Sequence, residues 1–163
     1  MKWNHSFMRR AVFFALALFI CIALSACGKT KKTADIDSFI SACENDGLTA
    51  SSVKADDPDG DVIEYAAYGH NQDNILVQYY RFKDETAAAK RFPEACEAAE
   101  AGPSAVTYDM TGNNFNSRTI TADRAYTVVT QVEDTLVIAA GPLQFKSSLD
   151  RILLNIGYLT SNL

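Results

Sequence analysis

Histidine is nearly missing from this chain, with two in 163 residues. His5 stands within the first ten, which leaves His70 as the imidazole of everything that follows. Neither a Ser-His-Asp constellation nor zinc-ligand spacing can be assembled around one histidine, and His70 reads as a solvated turn residue. Glycine is scarce too, at eight, and no glycine-rich phosphate cradle occurs. Cations are outnumbered, 15 Lys and Arg against 20 Asp and Glu. Nucleic acid demands clustered Lys and Arg, so it is not an expected partner. No apolar run reaches the ~20 residues that a membrane-spanning helix needs.

What stands at the start is ordered. Arg9 and Arg10 form a basic head, an apolar run extends from Ala11 to Leu24, and Ser25 and Ala26 are small residues before Cys27. That is the layout of a secretory signal peptide, whose apolar core is roughly 7–15 residues long. Leu24-Ser25-Ala26-Cys27 resembles the lipobox of bacterial lipoproteins. The resemblance implies a diacylglycerol on the Cys27 thiol and cleavage just before it; ordinary secretory cleavage after Ala26 is the alternative. The expected organisation is a signal peptide over 1–26, a lipidated cysteine and polar tether over 27–33, and a single domain over 34–163. Loss of 1–26 removes Lys2, Arg9 and Arg10 and no carboxylate, so the net charge falls by three, from −5 to −8. A domain this acidic has little attraction for anionic lipid, and its attachment falls to the lipid. One acyl chain binds marginally, whereas two anchor stably. Lys29, Lys31 and Lys32 of the tether are placed to touch headgroups or simply to be solvated.

Past the tether, Ile36, Phe39, Ile40 and Cys43 recur at helical spacing, which predicts a helix over 35–46 ended by Gly47. A polar loop over 49–60 follows. Strands are predicted over 61–68 and 75–82, joined as a hairpin. Ala88, Phe92, Ala95, Cys96 and Ala99 form the apolar stripe of a second helix, over 84–101, with Pro93 inside it. A short strand and turn fit 107–112. Three strands over 115–122, 125–132 and 135–140 are separated by Asp123-Arg124 and Glu133-Asp134 turns. Pro142 opens a last helix, to Ile156, with Phe145, Leu149, Ile152, Leu153 and Ile156 on one face. The order α-ββ-α-βββ-α predicts an α+β fold, an antiparallel sheet of about five strands with three helices packed on it. In layout it resembles the small uncharacterised α+β lipoproteins of Gram-positive bacteria.

Candidate chemistry is thin. Asp56-Asp57-Pro58-Asp59-Gly60-Asp61 is dense in carboxylates, as calcium prefers. An EF-hand loop, however, needs Glu eleven residues after its first Asp, where Ala67 and Tyr68 stand. Pro58 and Gly60 account for the stretch as a turn, and no metal or cofactor is expected. Cys43 and Cys96 lie on apolar helix faces. Two readings are open for them, a disulfide across a long loop or two buried thiols acting as small apolar residues. Neither has a basic partner or Cys-x-x-Cys spacing. Tyr65, Tyr68, Tyr79 and Tyr80 fall on the first hairpin, and strand alternation sends Tyr79 and Tyr80 to opposite faces. They either pack under helices or, on an uncovered face, make a binding surface.

The function expected from these features is a lipoprotein held at the cell membrane by Cys27 and facing outside the cytoplasm. It would be a non-enzymatic binding or accessory module whose partner is an envelope protein or ligand that the sequence does not identify. The alternative is an envelope enzyme whose site is assembled from residues scattered in sequence.

Overall fold

A computed structural model describes residues 29–70, 72–99 and 104–159. The segment expected as signal peptide and lipobox, with Cys27, lies outside the described residues. Helix α1 (Ile36–Asn45) starts at Asp35, whose carboxylate accepts the Ser38 N–H at 2.7 Å. It ends where Gly47 takes φ of 81°. The Gly47 N–H donates to the Glu44 carbonyl and the Leu48 N–H to Cys43, the paired closure that a left-handed residue after a helix permits. Strand β1 (Thr49–Ala50) leads to the hairpin of β2 (Val62–His70) and β3 (Ile75–Phe82). Helix α2 (Glu85–Ala98) is capped by Asp84, which accepts the Ala87 N–H at 2.8 Å. It runs through Pro93, which is exposed. A meander follows, of β4 (Val106–Thr111), β5 (Phe115–Thr121), β6 (Ala125–Val132) and β7 (Thr135–Pro142). One 3-10 turn (Leu143–Phe145) then enters helix α3 (Lys146–Asn155). Gly157, at φ 79°, closes α3 as Gly47 closes α1: the Gly157 N–H reaches Leu154 and the Tyr158 N–H reaches Leu153.

Among the described residues, seven strands form one antiparallel sheet in the order β1-β2-β3-β7-β6-β5-β4. This corrects the expected sheet of about five strands, while the three helices stand. The difference lies at the two edges: β1 falls inside the expected polar loop over 49–60, and β4 occupies the short strand and turn expected over 107–112, which the count of five left out. β1 has two residues, both exposed, and no alternation to betray it. In β4 only Met110 is even half-buried, and Val106 and Tyr108 are 71% and 51% exposed. A strand without a buried face carries almost none of the hydrophobic signal by which strands are read. The last helix is also shorter than expected at its start. Gly141 and Pro142 stay in the sheet opposite Tyr126 and Ala125, and helix geometry begins only beyond them.

The sheet divides two cores. On one face α1 and α3 bury Phe39, Cys43, Leu149, Ile152, Leu153 and Tyr158 against Val77, Tyr79, Tyr126, Val128, Val137 and Ala139. On the other, α2 buries Ala87, Ala88, Ala95 and Cys96 against Tyr80, Phe82, Val129 and Leu136. α2 is the connection from β3 to β4, and it crosses this second face to carry the chain to the far edge. Among the described residues, no helix is long and apolar enough to cross a membrane.

Candidate binding cleft

Two helices cover the first face and one covers the second. The α2 stripe is made largely of alanines, which fill little space. Beside it a cleft of about 620 Å³ opens on the sheet, within the range of small-molecule sites. Its floor is Gln78 and Tyr80 of β3, Leu136, Ile138 and Ala140 of β7, and Ala125 and Thr127 of β6. Period-two alternation puts these residues on one face, and the register sets Gln78 opposite Ile138, Tyr80 opposite Leu136 and Thr127 opposite Ala140. One wall is Ala95 and Ala98 of α2 with Ala99 at its C-terminal cap, and the other is Val53, Lys54 and Asp56 of the loop before β2.

The polar groups around the cleft are bound to one another. Gln78 Nε2 donates to the hydroxyls of Tyr65 and Tyr80, at 2.9 and 3.0 Å. The two rings lie 4.9 Å apart and tilted. Burial lifts the Tyr80 phenol to about 12, so at neutral pH it is a neutral hydrogen-bonding group. Arg91 of α2 donates to Asp56 across the cleft and to Glu94 at 2.7 Å on its own helix. It thereby ties the loop to α2. Lys54 also lines the cleft.

The sequence-predicted residues fall as follows. Tyr79 and Tyr80 do point to opposite faces. Tyr68 and Tyr79 pack in the first core beside Phe39, whereas Tyr80 lines the cleft and Tyr65 is joined to it through the hydrogen bond from Gln78. Cys43 and Cys96 lie in different cores with the sheet between them, and no disulfide joins them. A bond would have required both helices on one side. Burial, with Asp46 and Glu44 close by, raises the Cys43 thiol to about 12. His70 ends β2 with Nδ1 2.9 Å from an Asp73 carboxylate oxygen. The carboxylates of 56–61 are occupied: Asp57 accepts the N–H groups of Asp61 and Val62 at 2.9 and 3.3 Å. Lys90 pairs with Asp59 at 2.7 Å and Lys83 with Asp61 at 2.6 Å. The hydrogen bond from Lys90 holds Asp59 below the usual carboxylate range. Among the described residues, no cluster of three or more His, Cys, Asp or Glu is arranged to hold a metal ion.

Sequence reading missed Gln78, Thr127, Ile138 and the alanine wall. One local signal existed: Gln78 is the single amide in an otherwise apolar and aromatic stretch of β3, two residues from Tyr80 and so on its face.

Residues 29–33, expected as part of a solvated tether, are bound to the fold. The backbone N–H of Asn113 donates to the Lys29 carbonyl at 3.0 Å. Asn114 grips Lys31 twice, Oδ1 accepting its N–H at 3.0 Å and Nδ2 donating to its carbonyl at 2.8 Å. Thr33 donates to Glu133 at 2.6 Å, and the Ala34 carbonyl accepts the Tyr79 hydroxyl at 3.1 Å. Residues 29–34 are therefore docked on the first face rather than spaced away from it.

No family model matches the chain, nor does any curated protein. Among solved structures, the chain is similar to a GTP binding regulator from Thermotoga Maritima, at 16% sequence identity and a TM-score of 0.49, over 83% of this chain and 98% of that one. A likeness of that degree assigns no activity here.

Proposed function

We propose that this protein is a lipoprotein of the cell membrane, anchored through Cys27, that faces outside the cytoplasm and acts as a non-enzymatic binding or accessory module. The observation that carries the binding role is the cleft on the half-covered sheet face. Its floor of Leu136, Ile138, Ala140 and Tyr80 is apolar, and its carboxylates Asp56 and Glu94 are both paired with Arg91. Such a lining suits an uncharged, largely apolar ligand that makes one or two hydrogen bonds near Gln78 and Thr127. Among the described residues its two carboxylates are both paired, and the raised Tyr80 phenol is a poor general base. The anchor rests on the lipobox resemblance.

Two measurements test the reading. Detergent-phase partitioning of the wild type and Cys27→Ser should differ, with the variant in the aqueous phase; equal partitioning into detergent would remove the anchor. Nile red, an uncharged apolar dye, should shift to the blue with the wild type and much less with Thr127→Trp, which fills the cleft. Equal shifts would place apolar binding elsewhere.

A further inference from the structure

The short stretch between the lipobox cysteine and the first helix is bound to the fold along its length. Lys29 docks by its carbonyl on the Asn113 N–H. Gly112 is what lets it approach, since a Cβ there would stand 2.4 Å from the Lys29 oxygen and 2.1 Å from the Phe115 ring. Asn114 then binds both backbone groups of Lys31. The Lys31 ammonium turns inward, onto the Tyr158 carbonyl and over the Phe115 ring at 4.3 Å. The Ala34 N–H donates to the Tyr158 hydroxyl at 3.2 Å. Glu133 receives Thr33 and Asn114 together on its two carboxylate oxygens. It also holds a left-handed φ of 51°, a conformation that costs free energy in a non-glycine residue and persists where surrounding bonds over-determine it.

This arrangement has a geometric consequence for a chain anchored at Cys27. Only Gly28 separates Cys27 from Lys29. Two trans peptide steps span at most about 7.6 Å between Cα atoms, so a lipid on Cys27 would be tethered within that reach of Lys29, whose carbonyl is bound to the β4–β5 turn. That turn and the Glu133–Asp134 turn are at one end of the sheet. The cleft floor begins near that end at Leu136 and Tyr80 and runs to Ala140 and Ala125 at the other end, where Ala99 also stands. Val132 and Ala125 bound β6, and seven residues of strand separate them by about 23 Å.

We propose that residues 29–34 are a clasp rather than a spacer. It sets the domain on the lipid surface with the 112–114 and 133–134 turns inward and the Ala125–Ala140 end of the cleft outward. The proposal rests on the lipidation of Cys27 proposed above. Lys29 and Lys32 are exposed on the clasp, within reach of anionic headgroups. Lys31 is buried and is not available to lipid. The partner of this end is thus a bilayer surface, and the cleft is left open to whatever approaches from outside.

The test uses the full-length lipidated protein on phosphatidylcholine–phosphatidylglycerol vesicles that carry a headgroup nitroxide quencher. A fluorophore is placed through Asn113→Cys or through Asp123→Cys, at opposite ends of the sheet. Cys43 and Cys96 are buried and remain unlabelled in the folded protein. The Asn113 probe should be quenched several-fold more strongly than the Asp123 probe. In Asn114→Ala, and in the milder Thr33→Val should the first fold poorly, that difference should shrink. Equal quenching of the two probes on vesicle-bound wild type would overturn the orientation while leaving the anchor standing. A difference that survives both variants at full size would overturn the clasp as its cause. Failure of the wild type to sediment with vesicles would overturn the anchor, and the orientation with it.

Discussion

The Lys31 ammonium donates to the backbone carbonyl of Tyr158 at 2.5 Å, across 127 residues of chain. A residue expected in solvent on a tether is buried against the last described segment of the domain. The reason is that backbone and amide groups of Asn113, Asn114 and Tyr158 happen to offer its segment partners that no pattern of apolar residues would announce.

The same contact makes stability depend on pH. Burial draws the Lys31 ammonium down from 10.5 to about 8. From pH 8 upward the unfolded chain therefore holds a proton that the folded chain has released, and stability rises with pH across that window. The opposite limb starts near pH 10, where phenols of the unfolded chain ionise. Burial raises Tyr79, Tyr80, Tyr126 and Tyr158 and keeps them protonated in the fold, so stability then falls. Denaturant titrations of the wild type should show a gain between pH 8 and about 10 and a loss beyond. Lys31→Met should erase the gain and keep the loss. A rise of equal size in the variant would mean that another group is responsible.

Leu153 is wholly buried between α3 and the sheet, whereas its neighbour Leu154 is 40% exposed. Leu153→Ala should cost about 2–5 kcal/mol as a cavity in a close-packed core. Leu154→Ala should change stability by no more than about 0.5 kcal/mol. Urea unfolding of both variants checks the pair, and similar losses would contradict the face assigned to α3.

Cys43 and Cys96 should behave as two separate thiols. In native protein at neutral pH, a maleimide should modify neither, because both are buried and the Cys43 thiolate is disfavoured. In denaturant without reductant, both should react at once. If either reacted only after reduction, the positions on opposite faces of the sheet would be refuted.

The acidic loop should not respond to calcium. Asp57 is committed to the N–H groups of Asp61 and Val62, and Asp59 and Asp61 are paired with Lys90 and Lys83. A bound ion at a hundredfold excess over its dissociation constant would add about 2.7 kcal/mol. Thermal melts with calcium and with chelator should instead coincide. A rise in calcium that Asp59→Asn removes would establish a site. Asp57→Ala should cost on the order of 1–2 kcal/mol by leaving two backbone donors unmatched.

How far the sequence reaches depends on whether the signal is local. The hairpin and the meander were legible because β3, β5, β6 and β7 are short runs rich in β-branched, aromatic and apolar residues between turn sequences, and that composition is written in the sequence itself. The cleft was only half legible. Strand parity puts Tyr80 and Gln78 on one face and Tyr79 on the other, but whether a face is left open depends on how many helices cover it. That number is not a property of any single strand.

By itself the sequence determined the caps and the faces. Asp35 and Asp84 start helices, Gly47 and Gly157 end them, and the apolar stripes fix which side of each helix is buried, because these are decided within one or two turns of backbone. The tertiary structure alone decided that β3 lies beside β7, that α2 crosses the face opposite α1 and α3, that Cys43 and Cys96 are kept apart by the sheet, and that residues 29–34 are clasped to Asn114, Glu133 and Tyr158. Each of those outcomes joins groups many tens of residues apart, and their free energy comes from contacts that exist only once the whole sheet has formed.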